Sequence, residues 1–193
     1  GIPFIYQGQE LGMENIKLDD IKYYDDIHTL DEYATSINEG VDPEKALELI
    51  GARSRDNSRT PMQWDDKEYA SFSNVEPWFP VNPNYKTINA KQQMEDENSV
   101  YNFYKKIIAL RSNSEYSETL VYGEFVPVDT DNDFVMPYKR VYGDKELFII
   151  VNYSQNEQEF KINGEWHTIL NNYGDNEKYT GLLKPYEALI LSN

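Results

Sequence analysis

Three arginines lie close together at Arg53, Arg55 and Arg59 in a chain that otherwise carries a large excess of acid. A guanidinium group is planar, always charged and presents five N–H donors, so it can hold a carboxylate or a pair of hydroxyls in fixed geometry. The arginine stretch, residues 53–64, ends at Trp64, whose indole offers a flat apolar face for packing or for a sugar ring. Ordinary ion pairs on a surface loop would account for the same residues, because such pairs are common and weak. The residues alone leave a binding site and a solvated loop as open interpretations.

Acidic side chains are the second group that could do chemistry. Glu10 follows a short apolar run, Asp25 and Asp26 lie upstream of the arginine stretch, and Asp56 lies within it. Pairs of carboxylates can act as general acid and base or as nucleophile and acid, but the spacing here assigns none of these roles. A carboxylate just after a strand can also anchor the following loop by accepting backbone N–H groups, and we favour that role for Glu10.

Residues that bind transition metals are scarce. The chain has no cysteine and two histidines, His28 and His167, which argues against thiolate chemistry and against a histidine-rich metal site. His167 lies in a strand-like run and is expected to be structural. Calcium bound by carboxylates stays open, although the sequence has no Asp-x-Asp-x-Asp-Gly loop. We therefore predict no metal site and no cofactor.

The charge balance argues against several classes of partner. The 193 residues carry a formal net charge of −16, which repels the phosphates of nucleic acids and anionic membrane surfaces. No apolar run approaches the ~20 residues of a membrane-spanning helix, and the first residues lack the basic start of a signal peptide. The lack of cysteine fits a reducing compartment. We expect a cytoplasmic protein that binds neither nucleic acid nor membrane.

The elements that would position these residues are helical in the first part of the chain. Residues 1–6 are apolar and predict a buried strand, and a chain that starts on such a strand is expected to belong to a longer one. Helical spacing predicts a helix over 29–37, and Asp42 followed by Pro43 is typical of the start of a second helix. A third helix, predicted over 99–111, carries a broad apolar stripe that we assign to the core.

The second part of the chain changes to short strands separated by turn signals. The turn signals lie at 131–132, 143–144, 163–164 and 174–176. The predicted strands are 120–122, 124–128, 133–138, 147–151, 159–162, 167–170 and 188–191. Strands of this number and spacing favour an antiparallel β-sandwich. We therefore divide the chain into residues 1–113, which are helical and loop-rich with a long irregular segment at 64–85, and residues 114–193, which are all β.

Several motifs of the chain resemble one enzyme superfamily. The run Gly-Ile-Pro-Phe-Ile-Tyr-Gln-Gly-Gln-Glu-Leu-Gly-Met at 1–13 is similar to the last barrel strand and following turn of the α-amylase superfamily, glycoside hydrolase family 13. The run Arg-Asp-Asn-Ser-Arg-Thr-Pro-Met-Gln-Trp at 55–64 resembles a signature of its oligo-1,6-glucosidase and α-glucosidase branch. Shorter matches lie at 76–78, 81–85, 89–90, 103–111 and 184–188. The resemblance covers essentially the whole chain, and the two long motifs are specific to this branch.

The resemblance implies an α+β fragment, in which the last β/α unit and long βα loop of a (β/α)8 barrel precede an antiparallel β-sandwich, domain C. Enzymes of this branch release terminal non-reducing glucose from short α-linked oligosaccharides with retention, using a nucleophilic aspartate, a glutamic acid/base and a second aspartate. In the family these three precede the segment that matches Gly1, so we expect no catalytic residue here and an inactive fragment. The implied partners are a small oligosaccharide and the remaining N-terminal part of the same enzyme. Without that part, open strand edges and apolar faces favour self-association.

The resemblance assigns two residues to substrate binding. Arg55 matches the arginine that pairs with an upstream aspartate and clamps hydroxyls of the terminal glucose at the −1 subsite. His28 stands where the branch commonly has a glutamate near the +1 subsite, and an imidazole there either bonds the acceptor sugar as a pH-sensitive partner or is an exposed loop side chain. This departure leaves the preference between α-1,6 and α-1,4 linkages open. We expect Arg59 to brace the loop, and Trp64 and Trp78 to pack it.

Three alternatives remain at this point. Trehalose-6-phosphate hydrolases and sucrose isomerases of the same branch share these motifs. A phosphorylated substrate would need basic groups near the +1 subsite, and the acidic loop at 15–26 mildly disfavours it. The third alternative is a non-catalytic carbohydrate-associated β-sandwich module, which the lack of a catalytic triad favours for the chain in isolation.

Overall fold

The computed structural model of the chain describes residues 2–174 and 178–193. Two compact units are distinguished within it, residues 2–104 and residues 105–193. The division predicted after residue 113 concerns the domains of the complete protein and stays a prediction. Gly1 and two residues of the predicted turn at 174–176, Asp175 and Asn176, lie outside the described residues.

The first unit is built from helices and short 3₁₀ turns. Its helices are α1 (Ile27–Asn38), α2 (Pro43–Gly51), α3 (Ala90–Glu95) and the beginning of α4 (Val100–Asn113). Its 3₁₀ turns are Gln9–Leu11, Ile21–Tyr23, Arg55–Arg59, Glu68–Ser71 and Pro83–Lys86. The predictions of α1, α2 and α4 are confirmed, and the Asp42 side chain caps α2 by accepting from the Lys45 N–H at 3.1 Å. Helix α3 was not predicted as a separate element, although Asn89 caps it through the Gln92 N–H.

The predicted strand at residues 1–6 is wrong for the described chain. Residues 2–6 form no strand, and Ile2 and Phe4 are 81% and 90% exposed. An extended run becomes a strand only when a neighbour accepts and donates its backbone hydrogen bonds, and no described strand pairs with it. The segment ends in a tight turn in which the Gly8 carbonyl accepts from the N–H groups of Leu11 and Met13.

The predicted core stripe on α4 is also wrong within the described residues. The helix forms as expected, but none of its residues is buried, and the apolar side chains of Val100, Ile107 and Ile108 are exposed. Apolar periodicity specifies which face of a helix seeks a partner, and it does not specify that the partner is present. The apolar face of α4 is thus only partly covered here, since Phe103, Tyr104 and Leu110 are half-buried.

The long segment at 64–85 is irregular, as predicted, and is ordered by local turns. Tyr69, Ala70 and Ser71 follow one another with φ values of 51°, 55° and 54°, a left-handed conformation that is rare for residues other than glycine. The buried Ala70 carbonyl accepts from the N–H groups of Trp64 and Asp65, so this left-handed turn fixes the end of the arginine stretch.

The second unit is an antiparallel β structure preceded by the rest of α4 and by α5 (Ser117–Tyr122). The strands are β1 (Glu124–Pro127), β2 (Val135–Tyr142), β3 (Lys145–Asn152), β4 (Gln158–Glu159), β5 (His167–Asn171), β6 (Leu182–Leu183) and β7 (Ala188–Ser192). Five of them form one sheet in the order β1-β2-β3-β7-β5, and β4 pairs with β6. Its core comprises Val135, Phe148, Ile150, Leu183, Leu189 and Leu191. The antiparallel class is therefore confirmed.

One predicted strand of this unit is wrong, the strand predicted at 159–162 forms only at residue 159, and one strand was missed. Residues 120–122 form the end of α5. The prediction failed because an apolar run of three residues is too short to distinguish a strand from a helix turn. The missed strand, β6, is only two residues long. Within the described residues, none of the helices has the length and apolar character needed to cross a membrane.

Candidate functional site

The two residues assigned to substrate binding line one open pocket of the first unit, with a volume of about 700 Å³. The residues that line it are Asp25, Asp26, Ile27, His28, Asp31, Arg55, Arg59 and Trp78. We call it the Arg55 pocket. One wall comes from the start of α1, and the facing wall comes from the 3₁₀ turn of the arginine stretch. Residues about 30 positions apart in sequence are therefore brought together.

Arg55 faces a buried carboxylate across this pocket. Its Nε lies 3.8 Å from Oδ1 of Asp26, which is an ion-pair distance and too long for a direct hydrogen bond. The Arg55 side chain is 69% exposed, whereas Asp26 is only 6% exposed. The guanidinium thus keeps most of its five donors free of this pairing, in a position where a sugar hydroxyl could accept from them.

Asp26 is held in its charged form by its surroundings. Burial alone would raise the pKa of its carboxyl, but the hydrogen bond from Thr29 and the positive charges of Arg55 and Arg59 outweigh burial and lower it. The Thr29 hydroxyl donates to Oδ2 of Asp26 at 3.0 Å. At neutral pH the pocket therefore contains a fixed carboxylate beside a fixed guanidinium.

Asp56 ties the two walls of the pocket together. It is fully buried, and its Oδ2 accepts from the N–H groups of Asp25 and Asp26 at 2.7 and 2.9 Å. Its Oδ1 accepts from Nη1 of Arg59 at 2.8 Å. Arg59, which was expected to brace the loop, therefore does so through the carboxylate of Asp56.

Two buried hydroxyls complete the same network. Ser54 caps the 3₁₀ turn, since its Oγ accepts from the N–H of Asp56 at 3.2 Å. The hydroxyl oxygens of Ser54 and Thr29 are 2.9 Å apart. The start of α1 and the arginine stretch are therefore connected through side chains as well as through the carboxylate of Asp56.

His28 lies in the first turn of α1 and is exposed to solvent. Its Nε2 is 3.4 Å from Oε1 of Glu32, one helical turn further on. The other carboxylate oxygen of Glu32 lies 3.7 Å from Nη2 of Arg53. The imidazole is thus placed at the rim of the Arg55 pocket, with one ring nitrogen beside an acid.

The aromatic side chains differ from what the sequence predicted. Trp78 was expected to pack the loop, but its indole is 76% exposed and lines the Arg55 pocket, while the neighbouring Phe79 is buried. The Trp78 and Phe79 rings form a T-shaped pair with 5.5 Å between their centroids. Trp64 is half exposed, so neither indole is a core residue here.

The anchoring role predicted for Glu10 is wrong for one of its carboxylate oxygens. Oε2 is buried and has no hydrogen-bond partner among the described residues. The turn at Gln9–Leu11 is held instead by backbone bonds and by Gln9, whose Oε1 accepts from the Tyr6 N–H. Among the described residues, no group of three or more His, Cys, Asp or Glu side chains is placed to bind a metal ion.

The comparison with family models assigns the chain to a class of protein. Residues 1–123 match the family model described as the α-amylase catalytic domain. The chain belongs to the α-amylase family.

Individual relatives are similar along the whole chain. An oligo-1,6-glucosidase from Bacillus cereus is 41% identical over 98% of this chain and 35% of its own length. The crystal structure of trehalose-6-phosphate hydrolase from Bacillus licheniformis matches with a TM-score of 0.91 and 34% identity, over 100% of this chain and 36% of that one. The trehalulose synthase from Pseudomonas mesoacidophila matches with a TM-score of 0.86 and 32% identity, over 100% of this chain and 35% of that one. The chain spans about a third of the length of these relatives.

Proposed function

We propose that this chain is part of an α-glucosidase that hydrolyses terminal non-reducing α-linked glucose from short neutral oligosaccharides with retention. The observation that carries the proposal is the convergence of Arg55, His28 and the exposed Trp78 indole on one open pocket. In this arrangement Arg55 binds hydroxyls of the terminal glucose, and His28 at the rim contacts the next sugar. The similarity to oligo-1,6-glucosidases supports the same reaction.

The catalytic acids of this reaction are proposed to lie outside the chain. Retaining hydrolysis needs a nucleophilic carboxylate and an acid/base about 5–5.5 Å apart on opposite sides of the scissile bond. Asp26 and Asp56 are committed to hydrogen bonds that fix the backbone and to arginine partners, so they are poor candidates for either role. The chain's contribution is binding and orientation, and by itself it is proposed to be inactive.

The charges of the pocket favour a neutral substrate over a sugar phosphate. Three carboxylates line it, Asp25, Asp26 and Asp31, against two guanidiniums, and Glu32 lies beside the rim histidine. Both guanidiniums already face an aspartate, Arg55 with Asp26 and Arg59 with Asp56. A phosphate dianion would therefore meet net negative charge, whereas a hydroxyl would meet usable donors.

Assays of the complete natural protein on isomaltose, maltose and trehalose-6-phosphate test this proposal. We expect hydrolysis of the neutral disaccharides, with α-glucose as the first product by proton NMR, and a kcat/KM for trehalose-6-phosphate at least about tenfold lower. A higher kcat/KM for trehalose-6-phosphate would contradict the neutral-substrate proposal. Conversion of sucrose to an isomer without hydrolysis of isomaltose would contradict the hydrolase.

A further inference from the structure

Asp56 is an unusual residue in its position, because it is an ionisable side chain with no exposure to solvent. Removing a carboxylate from water is costly unless hydrogen bonds and opposite charge compensate for it. Three donors do so here, namely the N–H groups of Asp25 and Asp26 and the guanidinium of Arg59. The side chain is therefore built into the structure and is unavailable to substrate.

The two backbone donors give Asp56 a specific mechanical effect. Asp25 and Asp26 immediately precede α1, whose first turn carries His28. One carboxylate oxygen that accepts from two consecutive N–H groups fixes the backbone at the point where the helix starts, and its negative charge is favourable at a helix N-terminus. The two bonds therefore restrain the backbone that carries His28 relative to the arginine stretch.

Asp56 is also the direct neighbour of Arg55 in the sequence. Its N–H is bound by Ser54 and its carboxylate is bound by Arg59, so both flanks of the 3₁₀ turn are restrained. The same residue thus restrains the backbone that carries Arg55 and the backbone that carries His28. These are the two side chains assigned to consecutive sugars.

We propose that Asp56 is a positioning residue that sets the separation of Arg55 and His28 and thereby the fit of a disaccharide across the Arg55 pocket. The proposal rests on the proposed function for the identity of the ligand. Asp56 touches neither sugar, and its contribution is to hold Arg55 and His28 at a fixed separation. Misplacing either binding side chain removes contacts with the bound sugar, which weakens the ground state and the transition state alike and therefore raises KM.

Two substitutions separate positioning from simple loss of a charge. Asp56→Ala removes every acceptor, which frees the start of α1. Asp56→Asn retains one side-chain oxygen that can still accept from Asp25 and Asp26, while its NH2 group replaces Oδ1, so the ion pair and the hydrogen bond to Arg59 are lost. If the bonds to the backbone of Asp25 and Asp26 set the separation of Arg55 and His28, the Asn variant keeps that separation and the Ala variant loses it.

Asp65 provides a matched control within the same unit. Its Oδ1 accepts from the Lys67 N–H at 2.8 Å and from the Ser71 hydroxyl at 2.6 Å, so it also organises a turn through a backbone donor. It does not line the Arg55 pocket. Asp65→Ala therefore reports the effect of destabilising a turn whose aspartate does not line the Arg55 pocket.

The first arm of the experiment measures KM and kcat of the complete natural protein on isomaltose. We expect Asp56→Ala to raise KM about tenfold with kcat within about threefold. Asp56→Asn should restore KM to within about threefold of the wild type, and Asp65→Ala should leave it unchanged. Equal effects of Asp56→Ala and Asp65→Ala, or an unchanged KM in a folded Asp56→Ala, would overturn the proposal. If Asp56→Ala does not fold, an Asp56→Asn variant with a disturbed KM would overturn it.

The second arm does not depend on activity. Hydrogen exchange at the amides of Asp25 and Asp26 should be slow in the wild type and in Asp56→Asn, and fast in Asp56→Ala or, where that variant does not fold, in Asp56→Leu. If the wild type hydrolyses no α-glucoside, the proposed function fails, and exchange that is slow in the wild type but fast in Asp56→Ala still identifies Asp56 as the residue that holds this segment. Fast exchange at both amides in the wild type would overturn the positioning role whatever the substrate.

Discussion

Under the proposed function, Arg55 is the residue on which substrate binding in the Arg55 pocket depends most. Its guanidinium lies at ion-pair distance from Asp26 and is otherwise exposed. The Asp26 carboxylate therefore orients the guanidinium and leaves most of its N–H donors available. Sequence resemblance indicated Arg55 and His28, and the structure places both at the same pocket. The contacts of Asp56 were not predicted, because they join residues some 30 positions apart and leave no periodic signal in the sequence.

Replacement of Arg55 by lysine should weaken substrate binding. Lysine keeps the charge but offers one compact ammonium in place of a planar fork, so it loses the geometry for two hydroxyls. We expect the KM of the complete protein for isomaltose to rise about tenfold, equivalent to about 1.4 kcal/mol. Arg53→Lys is the matched control, because Arg53 is equally exposed, pairs only loosely with Glu32 and does not line the pocket. Equal KM values for the two variants would contradict the assignment of Arg55.

At the scale of elements, the positions of the helices were predictable from the sequence, whereas the burial of a helix was not. The Asp42-Pro43 start of α2 and the helical spacing of α1 are local signals, and both helices form where predicted. The burial of α4 and the strand at residues 1–6 depend on contacts with other elements, which no local pattern contains. Residues 120–122 illustrate a third limit, since a short apolar run fits a strand and a helix end equally well.

The turn at residues 184–187 carries strain that a single substitution should relieve. The Glu187 N–H donates to the Lys184 carbonyl, Pro185 occupies the second position, and Tyr186 occupies the third with φ of 54°. A positive φ at this position favours glycine. Tyr186 is 60% exposed, so Tyr186→Gly loses little packing. Relief of about 1–2 kcal/mol of left-handed strain exceeds the roughly 0.4–1 kcal/mol that glycine costs through the entropy of the unfolded chain, so the free energy of unfolding should rise by up to about 1 kcal/mol.

Urea denaturation of the wild type and of Tyr186→Gly measures this difference in the free energy of unfolding. Tyr153→Gly is the control, because Tyr153 is similarly exposed but is not among the residues with positive φ. Glycine at that position should destabilise the protein. A lower stability of Tyr186→Gly than of the wild type would show that the side chain contributes more than its conformation costs.

At the scale of the whole molecule, strong negative charge coexists with uncovered apolar surface. The net charge of −16 opposes association, whereas the exposed side chains of residues 2–6 and of α4 favour it. In physiological salt the charges are screened over about 8 Å, so short-range apolar contact should prevail. The chain spans about one third of the length of the relatives that it matches.

The 193-residue chain by itself should therefore self-associate in a salt-dependent way. Light scattering should give a mass above the 22.6 kDa of one chain, and the mass should increase as salt screens the repulsion. Ile108→Glu, which places a charge on the exposed face of α4, should reduce association. A monodisperse monomer at all salt concentrations would contradict this expectation.

The central claim is that the Arg55 pocket binds the terminal glucose, and a crystal structure of the complete protein with isomaltose, its catalytic nucleophile replaced, tests it most directly. We predict that Arg55 donates to hydroxyls of the non-reducing glucose at about 2.7–3.2 Å and that the second sugar lies beside His28. A disaccharide bound elsewhere, with the Arg55 side chain directed into solvent, would contradict the claim.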